Sequence, residues 1–245
     1  VSSPSCTPSR MAIATGQWHW RLGEAQNLGG SLAKEVPTYA DLLAKTGYHT
    51  GFSRKGASPS KHTYRGTDPF GQRFKDFEAF LSARKKDTPF CFWYGSGAPH
   101  RPYFLNSGKT SGLNTENLVL PPGLPDHSIV RNDLLDYYAT VQVFDLEAST
   151  ILDLLKKAGE LENTLIVMSG DNGMPFPRAK ATLYDTGTRV PLVVRWGKQI
   201  KGGRKVIDFV SLCDLAPTFL EAAGVAPPKA MTGRSLFAQF KSQRS

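Results

Sequence analysis

Residue 6 is a cysteine in the run Cys6-Thr7-Pro8-Ser9-Arg10, with Thr15-Gly16 at a set distance behind it. Pro8 and Ser9 suit the opening of a helix that runs through Met11, Ala12, Ile13 and Ala14. A reactive side chain at a helix amino terminus faces unpaired N–H groups and the positive end of the helix dipole, which favours an anion. Arg10, in the first turn, adds a fixed cation. Cys6 to Thr15 is therefore a candidate anion-handling site. The alternative reading of a cysteine is a buried small hydrophobe. Cys91, inside Phe90-Cys91-Phe92-Trp93-Tyr94, and Cys213, between Leu212 and Asp214, read that second way. Three cysteines, none spaced Cys-x-x-Cys, do not make a disulfide framework.

Three further polar constellations carry possible chemistry. Asp171-Asn172-Gly173 sets a carboxylate beside an amide, two hard oxygens suited to Ca²⁺ or Mg²⁺; the same residues also make a simple turn. His100 stands in Ala98-Pro99-His100-Arg101-Pro102-Tyr103, as a proton donor or as an exposed loop histidine. Lys55 and Lys180 are anion partners or solvated surface lysines. Taken one at a time, each of these keeps its turn or solvated reading; only their joint occurrence with Cys6 points to function.

The elements that would carry them follow from pattern. Helices are expected over 37–45, closed by Gly47, over 74–85 with Phe77, Phe80 and Leu81 on one face, and over 214–223 with Asp214 as cap and Gly224 at its end. Residues 131–158 read as a long helical stretch, broken once, ending at Gly159, with Leu134, Leu135, Tyr138, Val141, Leu152 and Leu155 as its apolar stripe. Strands are expected over 48–53, 89–94, 192–196 and 206–212. Thr164-Leu165-Ile166-Val167-Met168 is the continuous apolar run typical of a strand inside a parallel sheet. Residues 95–125 read as a long surface loop. This alternation predicts an α/β fold with a mostly parallel sheet. Ligands of such sheets bind beyond the carboxyl ends of the strands. Lys55, His100 and Asp171 each follow a predicted strand, which puts them on one rim.

Composition narrows the class without choosing a function. The 245 residues are 40% hydrophobic and 21% charged, an ordinary globular balance with enough chain to bury a core. A net charge of +9 favours anionic partners in general. The basic clusters, Arg84-Lys85-Lys86, Lys156-Lys157 and the stretch 198–205, are short, and no nucleic-acid module accompanies them. No apolar run is long enough to span a bilayer, so neither nucleic acid nor membrane is an expected partner. Neither Gly-x-Ser-x-Gly, His-Glu-x-x-His nor Gly-x-x-x-x-Gly-Lys occurs.

Cys6-x-Pro8-Ser9-Arg10-x-x-x-x-Thr15-Gly16 resembles the signature of the formylglycine-dependent sulfatases. In that family the cysteine is oxidised after synthesis by a formylglycine-generating enzyme. Asp171-Asn172-Gly173 resembles the family's calcium-ligand pair, with residue 6 as a third ligand. Lys180 with Thr182-Leu183-Tyr184 and Gly187-Thr188-Arg189-Val190-Pro191 is similar to its lysine-bearing segment; Pro99-His100 with Pro102-Tyr103 looks like its histidine motif, and Lys55 like its first lysine. Asp171 through Pro177 is most similar to heparan N-sulfatase (sulfamidase)-like members, and Gly233-Arg234-Ser235-Leu236 resembles the segment closing the large domain. The resemblance implies an alkaline-phosphatase-like sheet sandwiched between helices, with residues 1–245 as part of the catalytic domain and the first strand and carboxyl-terminal domain absent. It implies a sulfated sugar or other sulfate ester as substrate, with N- or O-sulfate hydrolysed by a formylglycine at position 6 over Ca²⁺. Arg10 would hold the nucleophile, Lys55 and Lys180 would neutralise the sulfate, and His100 would contact it or protonate the departing atom. Periplasmic, secreted or lysosomal settings are suggested by the resemblance alone.

Two departures qualify that expectation. The family's first strand supplies a pair of aspartates to the calcium site, whereas the first acidic residue here is Glu24, behind the signature. Ala57 stands where the sulfamidase pattern places a histidine. The segment alone is accordingly expected to fold poorly and to be inactive. Two other classes fit the pattern: a phosphate or phosphonate monoester hydrolase of the same superfold, and a non-catalytic binder of acidic glycans.

Overall fold

A computed structural model describes residues 1–61 and 64–242, the side chain of Lys198 excepted. The basic stretch 198–205 is thus described in part, and Arg244-Ser245 lies outside the described residues. Helix α1 (Cys6–Thr15) begins at the cysteine and stops at Gly16, whose left-handed backbone (φ 64°) closes it. Its ten residues are all buried, so it runs through the interior with no solvent face. Helix α2 (Tyr39–Lys45) starts in a reciprocal capping box between Thr38 and Asp41, two residues inside the expected span. Strand β1 (His49–Arg54) pairs in parallel with the short β2 (Gln72–Arg73) on one side and with β3 (Phe90–Gly95) on the other. Helix α3 (Phe77–Ala83), capped by the Asp76 side chain, lies between them in sequence.

Alternation along β3 shows how the sheet is covered. Phe90 and Phe92 pack with Phe77 and Phe80 of α3 and with Leu155 of the long helix α5 (Ser128–Lys157). Cys91 and Trp93 pack into the opposite layer, with Met11 and Ile13 of α1, Leu43 of α2, and Leu215 and Leu220 of α7 (Leu215–Ala222). The strand is therefore half-buried, covered by a helical layer on each face, the expected sandwich. Short helices α4 (Ser107–Thr110), α6 (Asp185–Thr188) and α8 (Phe237–Lys241) punctuate the connections, α4 inside the region read as loop.

Five expectations need correction. Strand β4 (Ile166–Ser169) pairs antiparallel with β5 (Leu192–Arg195), giving a second, two-stranded sheet instead of joining the parallel one. Its apolar run reports burial on both faces, Ile166 toward α3 and Val167 toward α1, and burial is blind to the partner's direction. Helix α5 runs its 30 residues without a break. Its buried positions are Leu134, Leu135, Asp136, Ala139 and Leu155, while Tyr138 is exposed, because the middle of the helix has little packed on its outer side. Residues 206–212 form no strand; Ile207 and Phe209 point to solvent, and no strand among the described residues pairs with them. Asp214 caps a preceding turn at Ser211 N and the Arg234 N–H, leaving the first turn of α7 without a side-chain cap.

Burial also sets an alkaline limit to the fold. Desolvation pushes the Cys91 thiol from 9.0 to about 12 and the Cys213 thiol to about 11, and it holds Tyr39 well above its ordinary value. Between pH 9 and 12 the unfolded chain has released the Cys91 proton while the folded chain keeps it. The unfolded state then binds fewer protons, so the stability present below the thiol's ordinary value is lost as pH rises through this window. Thermal melts across that window should show the transition falling steeply; a flat profile would contradict the burial described.

Candidate active site

Two lysine amines converge on the side chain of residue 6. Lys55 Nζ lies 3.3 Å and Lys180 Nζ 3.5 Å from Cys6 Sγ, and Asn172 Oδ1 approaches it at 3.8 Å. Cys6 itself is only 4% exposed, at the first turn of α1. Residues separated by as many as 174 positions are thus gathered around one sulfur.

Lys55 and Asn172 approach from the carboxyl ends of strands, and Lys180 from the connection that follows β4. Lys55 follows the last residue of β1, and its backbone is fixed on three sides. Its N–H donates to Gly95 O (2.8 Å), while its carbonyl accepts from Arg10 Nη1 (2.9 Å) and Trp93 Nε1 (3.1 Å). Gly95 has to be glycine at this crossing, since a Cβ there would sit 1.6 Å from Lys55 O. Asp171 and Asn172 follow β4, and Gly173 meets α6 so closely that a Cβ would lie 1.9 Å from Thr186 O. Lys180 closes a short loop by donating its N–H to Met174 O (3.1 Å). The next residue, Ala181, donates to Pro4 O (2.8 Å), stitching the lysine loop to the segment that leads into Cys6.

Arg10 is 7% exposed and sits behind the lysines. Its Nε donates to Asp171 Oδ2 at 2.6 Å, and its Nη1 to the carbonyls of Lys55 and Gly56. One guanidinium therefore ties α1, the β1 end and the β4 end together, a task suited to its planar fork of donors. His100 is more exposed, with Nε2 3.4 Å from Lys180 Nζ and Nδ1 2.5 Å from Arg101 O. All seven residues expected at the site, Cys6, Arg10, Lys55, His100, Asp171, Asn172 and Lys180, fall in one connected cluster. Sequence reasoning missed Trp93 and Pro4. Trp93 carried a signal, being out of phase with Phe92 and Tyr94 along β3; the Pro4 contact is a backbone carbonyl and had none.

The oxygen donors are few. Among the described residues no group of three or more His, Cys, Asp and Glu is gathered to hold a metal ion. Asp171 is engaged by Arg10, and Asn172 donates its amide to Gly173 O. Calcium takes about six to eight oxygens, so Asp171, Asn172 and residue 6 do not by themselves fit that ion. Ala57 is fully buried and donates its N–H to Asp68 Oδ2, away from the sulfur.

A family model described as Sulfatase matches residues 71–225, and the chain belongs to that family of hydrolases. It is 32% identical to the human N-sulphoglucosamine sulphohydrolase over 99% of its length and 58% of the relative's. It is 27% identical to an ulvan-active sulfatase of Formosa agariphila, over 99% of this chain and 48% of that one. The chain thus spans about half the length of these curated relatives. Among solved structures, a sulfatase of Bacteroides thetaiotaomicron, from work on the metabolism of multiple glycosaminoglycans, superposes with a TM-score of 0.78 at 18% identity, covering all of this chain and 66% of that one. The fold is the alkaline-phosphatase-like sulfatase fold, with parallel and antiparallel sheets flanked by helices. Among the described residues no helix is long and apolar enough to cross a membrane.

Proposed function

We propose that residues 1–245 form part of the catalytic domain of a sulfatase that uses a formylglycine at position 6 to hydrolyse sulfate from an N- or O-sulfated sugar. The observation that carries this is the pair of amines, Lys55 Nζ at 3.3 Å and Lys180 Nζ at 3.5 Å, aimed at residue 6 where α1 begins. A bare structural thiol needs no such company; a side chain that receives an anionic sulfuryl group does. The fit to a modified residue is good, because the same side chain also meets Asn172 and a helix amino terminus. Converted to a hydrated aldehyde by a formylglycine-generating enzyme, it would supply one hydroxyl to attack sulfur and a second to expel the sulfate.

The remaining work falls to unmodified residues. Lys55 and Lys180 bind the sulfate oxygens and offset the charge that moves as the sulfur–oxygen or sulfur–nitrogen bond breaks. Arg10 keeps Lys55 and Asp171 in register from behind. His100, on the solvent side of Lys180, hands a proton from its ring to the departing oxygen or amine. The relatives, an N-sulphoglucosamine sulphohydrolase and an ulvan-active sulfatase, support a sugar substrate. The run Asp171 to Pro177 favours the sulfamidase side.

Paired turnover assays on a sulfated glucosamine, an N-sulfated one and a phosphate monoester test the reading, together with the mass of residue 6 in the protein from its native source. Hydrolysis of sulfate with an aldehyde mass at position 6 is expected. Lys55→Ala and Lys180→Ala should each lower kcat/KM on the order of 100-fold or more. Preference for the phosphate ester would assign the site to phosphate or phosphonate monoester chemistry instead. Tight heparin binding without turnover would make it a glycan binder.

A further inference from the structure

Arg101 joins three walls around the His100 side of the site. From Nη1 it donates to Asp133 Oδ1 at 2.9 Å, and from Nη2 to Asp133 Oδ2, a two-pronged grip on the start of α5. From Nε it donates to Pro175 O at 3.1 Å. Its guanidinium lies over the Tyr103 ring at 4.6 Å and the Phe176 ring at 5.0 Å. Phe176 is buried against Leu134 and Leu135 of α5, so α5 anchors both the arginine and the loop it holds. Meanwhile the Arg101 carbonyl meets His100 Nδ1 at 2.5 Å, and Lys180 closes the other end of the 174–180 loop through Met174 O.

We infer that Arg101 is a positioning residue that fixes His100 relative to Lys180 by bridging the 99–103 loop to Pro175 O and to Asp133 of α5, while the Lys180 loop is held separately through Met174 O and Pro4 O. The inference rests on the sulfatase reading above and adds to it a residue whose side chain acts through its neighbours. The gap it controls is the 3.4 Å between His100 Nε2 and Lys180 Nζ, that is, between the proton donor and the sulfate ligand. Arg101 and Asp133 are 39% and 36% exposed, so solvent screens the pair and it adds little to global stability. Geometry is what remains for it to supply. A lysine would keep the charge but lose the planar fork that reaches Asp133 and Pro175 at once.

Leaving-group dependence tests this in the protein with its residue 6 matured. A sulfated glucosamine needs its departing atom protonated, whereas para-nitrophenyl sulfate expels a stable phenolate without help. Arg101→Ala should lower kcat on the sugar on the order of 100-fold, with only a few-fold loss on the nitrophenyl ester and a nearly unchanged melting temperature. Arg101→Lys should recover little of the loss. Placed in a His100→Ala background, Arg101→Ala should leave the ratio of the two substrates where His100→Ala alone put it. Equal losses on both substrates, or no loss, overturn the inference. Should Arg101→Ala fail to fold, Asp133→Asn carries the same expectation and the same refutation. Full-length wild-type protein, matured at residue 6 and taken from its native source, that turns over neither sulfate overturns the sulfatase reading itself, and the inference with it.

Discussion

Replacing Cys6 with alanine should abolish sulfate hydrolysis, a loss on the order of a million-fold, while the melting temperature moves little. The two halves of that expectation have separate causes. Cys6 packs at the start of a fully buried helix, where removing Sγ leaves a space of roughly one atom, so the structural cost is small. The proposed catalysis, by contrast, has no substitute nucleophile among the described groups around Sγ, which are two amines and an amide. Cys6→Ser separates the chemistry further. Under the proposed mechanism a serine can attack once, yet it lacks the second hydroxyl that would release sulfate, so it should trap a sulfated intermediate visible by mass spectrometry or stop altogether. Turnover by either variant within tenfold of the parent protein would remove residue 6 from the mechanism.

How much of this was legible beforehand varies with the kind of information involved. Cys6, Arg10 and the helix they open were readable because the signal is local: turn residues, a cation and a small-residue helix within a few positions. The sandwich was readable because aromatic and aliphatic runs report burial on two faces, and β3 divides its side chains between two helical layers as such a run demands. The direction of β4 was not, since a hydrophobic run carries no sign; only the partner, Leu192–Arg195, decides it. The unbroken length of α5 escaped for a related reason. Its middle has few buried positions, and a lapse in apolar periodicity imitates a break when the backbone hydrogen bonds in fact continue. For the site, Lys55, His100, Asp171 and Lys180 each read singly as a turn or a solvated side chain, and it was their joint resemblance to the sulfatase motifs behind Cys6 that nominated them. Their convergence depends on backbone carbonyls of Pro4, Lys55, Gly56, Met174 and Gly95, groups every residue possesses and no side-chain pattern reveals.

Arg10→Ala should be the most damaging substitution for the fold and the site together, because it removes four things at once. The Asp171 carboxylate, 20% exposed, loses the partner 2.6 Å away. The carbonyls of Lys55 and Gly56 lose a donor, and Trp93 loses the cation 5.6 Å from its ring. Breaking a pair this buried costs about 3 kcal/mol or more, which for a chain of this size lowers the melting temperature on the order of 10 °C. Arg10→Lys should recover only part of this, since an ammonium on a flexible stem does not span Asp171 and two carbonyls. The informative variant is the double substitution Arg10→Ala with Asp171→Ala. Taking away the orphaned carboxylate should return stability relative to Arg10→Ala alone, because most of the damage lies in leaving a charge buried without company. Activity should not return, because Lys55 would still lack its rear support. Recovery of turnover with recovery of stability would mean that Arg10 is scaffold only. Stability that stays low in the double variant would mean instead that its two carbonyl contacts, and not Asp171, are what the fold cannot do without.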